Sequence, residues 1–244
     1  MAKTYFIADL HLTEQRSDIT QAFFAFLDQH MTEDVDALYI LGDFFEVWIG
    51  DDERDPYALS IAAKLRQLQQ HNIAVFFIHG NRDFLIKQAF ADECRMTLLP
   101  EQAVIDLYGT PTVILHGDEM CTQDEAYQKF RKKSRGWWWP KLMLAMPLWY
   151  RRRVAADARR KSVENQKGKP LEILDVTEEA VAQMFAKHQV NNMIHGHTHR
   201  PNVHHYPDGK VRTVLGDWYS QSSYLVVDDS GEQQLLCHPF SANG

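Results

Sequence analysis

The chain is poor in cysteine. Cys94, Cys121 and Cys237 lie far apart among 244 residues, and no Cys-x-x-Cys pair occurs. Such a set makes no disulfide framework and points to a reducing compartment. No apolar run approaches the ~18–20 residues that a spanning helix needs. The N-terminus enters a strand-like pattern at once, so no secretory signal is expected. This excludes a transmembrane reading but still allows a protein that lies on a membrane. Positive net charge is missing too, and at −7 the chain is not expected to bind nucleic acid. No internal repeat or low-complexity segment is found. What is present suits one sizeable domain, or one domain with an insertion, with 45% hydrophobic and 24% charged residues.

The first third alternates strand and helix patterns. Tyr5–Ala8, Ala37–Leu41 and Ala74–Ile78 read as strands. Between them, Ala22, Phe23, Phe26 and Leu27 have helical spacing with Ser17 and Asp18 as expected caps, and Ile61, Ala62, Leu65 and Leu68 mark a second helix. This alternation predicts an α/β architecture. Short strands follow at Val104–Leu107 and Thr112–Leu115; Thr177 opens a helix, and Lys210–Leu215 and Ser223–Val227 read as strands after a turn at Pro207-Asp208-Gly209.

Five short polar motifs each follow an apolar run: Asp9-Leu10-His11, Gly42-Asp43, Gly80-Asn81-Arg82-Asp83, His116-Gly117-Asp118 and Gly196-His197-Thr198-His199. A buried strand that ends abruptly in Gly with Asp, Asn or His delivers polar groups to its carboxyl end, where α/β sheets build their sites. Taken singly, Asp43 or Asn81 fits a turn or a cap as well as a ligand. Taken together, the motifs bring seven oxygen and nitrogen donors to one place, enough for two metal ions that share a carboxylate. No cysteine is among the donors, so a thiolate zinc site is excluded; carboxylate, imidazole and amide suit Mn, Fe(II), Co or Zn.

One stretch breaks the pattern. Between Lys129 and Lys169 there are 14 Lys or Arg against Asp157 and Glu164, a local net of +12 that leaves −19 for the rest. Four of the six tryptophans, Trp137, Trp138, Trp139 and Trp149, sit there with Leu142, Met143, Leu144, Met146, Leu148 and Tyr150. A helical pair packed by its aromatics would account for some of this. The combination predicts instead a surface for something both anionic and greasy, as amphipathic segments on anionic membranes are, or a groove for acyl chains.

The ordered motifs resemble the calcineurin-like metallophosphoesterases over nearly the whole span from Asp9 to His199. The resemblance implies a four-layer α/β/β/α sandwich of residues 1–121 and 171–244, with 122–170 inserted as a helical lid. It implies that Asp9, His11, Asp43 and His199 hold one metal and that Asp43, Asn81, His116 and His197 hold the other, with Asp43 bridging. His195 is outside that ligand set and is expected to be structural or to support a ligand, and His79, His204, His205 and His238 are expected to be structural or surface residues. Asp83 and Asp118 are expected to orient the ligands.

One residue departs from the superfamily pattern. Where most members have His after the motif's Asn, this chain has Arg82. A guanidinium cannot act as a general acid near neutral pH. It can clamp phosphate oxygens and stabilise transition-state charge. A leaving group that needs no proton, such as a phosphate monoester released from a diphosphate, is therefore favoured over an alcohol.

Asp9-Leu10-His11-Leu12, Tyr39–Gly42, Trp48-Ile49-Gly50-Asp51-Asp52, Phe77–Leu85 and Ile194–Pro201 carry a closer resemblance to the UDP-2,3-diacylglucosamine diphosphatases of lipid A synthesis. This resemblance covers essentially the full chain. It implies hydrolysis of UDP-2,3-diacylglucosamine at the α-phosphorus to lipid X and UMP, with two manganese ions as cofactors. Asn81, Arg82 and His197 would stabilise the equatorial oxygens. Asn81, Arg82, Asp124, Ser162, Gln166, Lys169 and His197 would contact substrate; at 166 the family often has Asn, so the reach of the amide differs. The protein is expected to be cytoplasmic, peripheral on the inner membrane, and a monomer. The rival expectations are a phosphodiesterase for cyclic or other nucleotides, a non-catalytic scaffold on the same fold, and a membrane-binding module with structural metals. A soluble nucleotide has no use for a Trp-rich lid, and a scaffold would be expected to have lost ligands that are all present here.

Overall fold

Tyr5 and Ile7 point to one side of the first strand and Phe6 and Ala8 to the other, and all four are buried. A strand covered on both faces must lie in a central layer. The computed structural model describes residues 1–166 and 173–240. In chain order its elements are β1 (Lys3–Ile7), α1 (Ser17–His30), β2 (Val35–Leu41), α2 (Pro56–Arg66), β3 (Ala74–Ile78), α3 (Gln88–Cys94), β4 (Met96–Leu98), β5 (Gln102–Leu107) and β6 (Thr110–Leu115). Then come α4 (Glu125–Ser134), α5 (Trp139–Leu144), α6 (Leu148–Gln166), α7 (Glu178–His188), β7 (Asn192–His195), β8 (Asn202–His205), β9 (Val211–Val214), β10 (Gln221–Asp228) and β11 (Gln233–Pro239).

The strands form two sheets, a six-stranded one ordered β11-β10-β1-β2-β3-β4 and a five-stranded one ordered β5-β6-β7-β9-β8. Three apolar layers hold them. Tyr5, Ile7, Leu38, Ile40, Val75 and Phe77 pack on α1, α2 and α3. Phe6, Ala8, Leu41 and Ile78 face Ile114 and Ile194 between the sheets. Val113, Leu115 and Met193 pack on Val181, Met184 and Phe185 of α7. Three apolar layers separate four structural ones, which makes the architecture an α/β/β/α sandwich.

Local chemistry starts the helices. Asp55 accepts the Tyr57 N–H ahead of Pro56 in the first turn of α2, and the Thr177 hydroxyl accepts the Ala180 N–H at α7. The expectation for α1 needs correcting. Its N-cap is Arg16, with no side-chain cap, while Ser17 and Asp18 lie within the first turn. Asp18 instead accepts two hydrogen bonds from the Arg16 guanidinium, at 2.8 and 2.7 Å. Strands β4, β8 and β11 were not anticipated.

The three helices α4–α6 carry the basic, Trp-rich stretch, and its charge has a partly internal cause. Arg131 reaches Asp118 and Glu101, each at 2.8 Å. Arg135 reaches Glu101 at 2.7 Å and the Gly80 carbonyl at 2.8 Å. Arg152 pairs with Glu53 at 2.9 Å and Arg159 with Glu46 at 2.7 Å. Arg151 is only 3% exposed; it binds Asp52 with both terminal nitrogens and donates to the Ile49 carbonyl at 2.7 Å and the Met146 carbonyl at 2.9 Å. Five arginines of the stretch thus latch it to carboxylates of the acidic remainder. The aromatic residues stay outside, Trp137 at 80% and Trp149 at 66% exposure, with Phe130, Leu142 and Tyr150 also exposed.

Arg151→Ala would leave two backbone carbonyls without their donor and Asp52 without its partner. A loss of about 2 kcal/mol is expected, read by chemical denaturation, together with faster proteolysis within 122–170. Unchanged stability and cleavage would remove the latch.

Candidate metal centre

All five polar motifs leave the C-terminal ends of strands: β1, β2 and β3 of one sheet, which run parallel, and β6 and β7 of the other, which also run parallel. The loops turn sharply. Asp9, His11, Asp43, His197 and His199 all have positive φ, from 50° to 69°, and they make up five of the nine such non-glycine residues among the described ones. This left-handed geometry turns Asp9 and His11 off the face of Tyr5 and Ile7, which they would share if β1 ran on, and toward the other motifs. Its cost, about 1 kcal/mol or more per residue, is offset by hydrogen bonds that lace the loops together. Asp9 N–H donates to the Gly42 carbonyl at 3.0 Å, His11 N–H to the Asp43 carbonyl at 2.9 Å, and His197 N–H to Asp9 Oδ2 at 2.8 Å. Asp83 is fully buried and ties two loops, accepting the Phe44 N–H at 2.7 Å and the Gly80 N–H at 2.8 Å. Close approach leaves no room for side chains at the glycines: a Cβ on Gly42 would sit 2.6 Å from Gly80 Cα, and one on Gly196 would sit 2.5 Å from Asp9 Oδ2.

The donors converge. Two groups, Asp9-His11-His199 and Asp9-Asp43-His116, have their ligand atoms within 4.8 Å of one another. The two oxygens of Asp43 face His11 Nε2 at 3.9 Å and His116 Nε2 at 3.7 Å. His11 Nε2 lies 3.4 Å from His199 Nε2, and His116 Nε2 lies 3.2 Å from His197 Nδ1 and 3.1 Å from Asn81 Oδ1. These separations match those of neighbouring ligands around one cation, about 3.0–3.4 Å when each ligand stands about 2.1 Å from the ion. His116 Nδ1 faces the Leu41 carbonyl at 2.8 Å. With that nitrogen as donor, Nε2 presents its lone pair to the oxygen of Asn81, and two acceptors face each other across a gap that only a proton or a cation can bridge. Asp9 Oδ1 and His11 Nδ1 are buried without a hydrogen bond. The residues therefore fit a divalent metal centre. All seven expected donors border this one volume, and both Asp9 and Asp43 lie between its two halves.

Charge in the site is balanced by protons. Burial disfavours an imidazolium at His116, but Asp43 and Asp9 outweigh it and push the group up to about 9. Burial and the neighbouring His116 hold His197 down to about 3. Burial, with Asp43 nearby, raises Asp83 to about 7. Asp118 stays ionised despite its burial because Arg135, His116 and Arg131 surround it. His195 is buried between the Gly196 carbonyl and Arg212, and His79 sits against the Ile86 carbonyl at 2.8 Å. Burial lowers them to about 3 and about 4.

Of the expected substrate contacts, Arg82 stands beside the centre, 3.9 Å from Asp43. Asp124 caps α4, accepting the Tyr127 N–H at 3.1 Å. Ser162 is half-buried on α6, Gln166 ends that helix, and Lys169 lies outside the described residues. Four side chains at the site were not anticipated. Tyr127 stacks on His197 with centroids 6.0 Å apart and bonds Asp118. Asp217 lies 3.4 Å from His199 Nδ1, Tyr219 stacks on His11 at 5.1 Å, and Glu46 lies 3.4 Å from His11 Nδ1. Among these, only the Asp217-Trp218-Tyr219 run following a strand carried a signal in the sequence.

The sequence profile of the calcineurin-like phosphoesterases matches residues 2–201. The chain belongs to this family. Among phosphoesterases of known name, it is 49% identical over 231 residues to the UDP-2,3-diacylglucosamine hydrolase of Photobacterium profundum, covering 93% of this chain and 94% of that one. The hydrolase of the same name from Shewanella halifaxensis is 50% identical over 238 residues, covering 98% and 99%. A solved archaeal phosphodiesterase shares the phosphoesterase fold at a TM-score of 0.51, with 12% identity, covering 96% of this chain and 99% of that one.

The metal-free phosphoesterase should lose stability as pH rises. His116 is protonated up to about 9 in the fold but only to about 6.5 in the unfolded chain. Its contribution is therefore complete below about 6.5 and disappears through about 9. A divalent metal should flatten this dependence, because it takes the proton's place. Denaturant midpoints in chelator and in manganese across this range check both halves; a flat chelated profile contradicts the assignment.

Proposed function

We propose that the chain hydrolyses the diphosphate bond of UDP-2,3-diacylglucosamine by attack of water at the α-phosphorus, giving 2,3-diacylglucosamine 1-phosphate (lipid X) and UMP, in lipid A synthesis. The observation that carries this reading is near-full-length identity of about half to hydrolases bearing that substrate's name. Arg82 supports it independently, as a clamp suited to a leaving group that needs no proton.

In this reading Asp9, His11, Asp43 and His199 would hold one manganese ion and Asp43, Asn81, His116 and His197 would hold the other, though the same donors suit iron, cobalt or zinc. Such metals supply a water acidified toward neutral pH and positive charge at the transferred phosphoryl group. The chain's own residues do the rest. Arg82, Asn81 and His197 hold the equatorial oxygens and stabilise the charge that builds on them. Burial keeps His197 neutral, so it contributes as a ligand and donor rather than as a cation. Asp118 holds the Tyr127 ring against His197 and receives Arg131, which aligns α4 with the centre.

Residues 122–170 act as the lid, with Asp124, Ser162, Gln166 and Lys169 directed to substrate. The same stretch carries exposed Trp137, Trp149, Leu142 and Phe130 together with Lys132, Lys133 and Arg153, which form no ion pair among the described residues. That composition suits the acyl chains and the anionic surface from which the lipid substrate comes, on the cytoplasmic side of the inner membrane. No helix among the described residues is long and apolar enough to cross a membrane. The protein acts as a monomer in this reading.

The test is UMP release from UDP-2,3-diacylglucosamine with manganese, compared with UDP-glucose and a cyclic nucleotide. Turnover of the acylated substrate alone is expected, abolished by chelation; preference for the cyclic nucleotide would overturn the reading. Arg82→Ala and Arg82→His should each lose roughly 100-fold in kcat, and an unaffected rate would remove the clamp. Asp43→Ala should abolish activity and empty both metal positions, and retention of two metals would refute its bridging role.

A further inference from the structure

Glu46, three residues beyond Asp43, joins three separate parts of the molecule. Its Oε1 lies 2.7 Å from Arg159 of α6 and 3.7 Å from Arg82. Its Oε2 lies 3.4 Å from Nδ1 of His11, the buried ring nitrogen that makes no hydrogen bond. The backbone holds the carboxylate in register: Glu46 N–H donates to the Leu12 carbonyl at 3.1 Å, and Trp48 N–H to the Arg82 carbonyl at 3.0 Å. The segments bearing His11, Glu46 and Arg82 are thus tied together before any side chain acts.

Arg82 stands between two carboxylates at nearly equal reach, with its Nε 3.9 Å from Asp43 and its NH1 3.7 Å from Glu46. Unit charges about 4 Å apart and partly shielded from water attract appreciably, so which carboxylate Arg82 favours matters. If it paired fully with Asp43, it would take up oxygens that face His11 and His116. Glu46 supplies the competing charge that holds it off. The same carboxylate receives Arg159 of α6 and keeps two like charges from driving each other apart. Tyr219 stacks on His11 and closes the ring's other face.

We propose that Glu46 is a positioning residue of the hydrolase: it holds Arg82 clear of Asp43, steadies the His11 imidazole, and anchors α6 over the metal centre through Arg159. The catalytic part rests on the function proposed above; the metal and lid parts do not.

Glu46→Gln keeps the size and removes the charge. Manganese affinity, measured by chelator competition without substrate, should fall roughly 10-fold or more. Hydrogen exchange in peptides spanning 148–162 should speed up. With UDP-2,3-diacylglucosamine, KM should rise and kcat fall, and Glu46→Asp should restore part of each. Arg159→Ala added to Glu46→Gln should speed exchange in 148–162 no further than the worse single variant, because the two act through one contact. A Glu46→Gln protein that only melts earlier, with metal affinity and kcat/KM within about two-fold of the parent, overturns the proposal, and so do additive losses in the double variant. If the parent itself fails on the lipid substrate, the function falls, while metal affinity and exchange still decide the role of Glu46.

Discussion

A strand sends alternate side chains to opposite faces, so Asp9 and His11 would follow Tyr5 and Ile7 onto the α1–α3 side if β1 simply ran on, away from the donors of the other sheet. The backbone resolves this by entering the left-handed region at both residues, and again at Asp43, His197 and His199. Five such turns cost on the order of 5 kcal/mol, comparable to the whole net stability of many domains. They persist because each loop is bonded to its neighbour. Asp9 ties to Gly42, His11 to Asp43, and Asp83 reaches two loops at once. Gly42, Gly80 and Gly196 have no side chain because the loops approach too closely for one.

The product of these turns is a volume in which acceptors face acceptors. The ring nitrogen of His116 confronts the oxygen of Asn81, and the nitrogens of His11 and His199 confront each other. Beside the centre, the buried carboxylate of Asp118 is answered by Arg131 and Arg135. At the centre the answer is a proton on His116 or a cation. The two arrangements share a border, since Asp118 follows His116 by two residues. One side of that short segment therefore borders the candidate metal centre, and the other holds α4.

Much of this was legible in the sequence because it is local. Apolar runs ending in Gly, Asp and His mark strands β1, β2, β3, β6 and β7 and the loops after them, and alternation of strand with helix gives the fold class. Contacts made only by folding left no such trace. Glu46 and Arg159 are far apart in the chain and belong to residue types that usually face water, so nothing near either marks the pair. The same holds for Arg151 with Asp52. The charge excess of the Trp-rich stretch was visible, but its use was not: five of its arginines are answered by core carboxylates, and the count alone overstates what remains for an anionic surface. β4 has three residues, and β11 is partly exposed, with polar residues that break the pattern. The cap of α1 misled because Ser17 and Asp18 are good capping residues standing one turn position too far along.

The route from β6 to β7 has a topological consequence. These strands are parallel neighbours, and α7 alone supplies the return that such a connection needs. Helices α4 to α6 are therefore surplus to the sheet, a detour that leaves one ligand-bearing strand and rejoins the chain before the next. In the function proposed above, bond breaking and contact with the acyl chains would fall on separate stretches of sequence. A lineage could redraw the detour and acquire new substrates while the hydrolytic machinery passed unchanged from one descendant to the next.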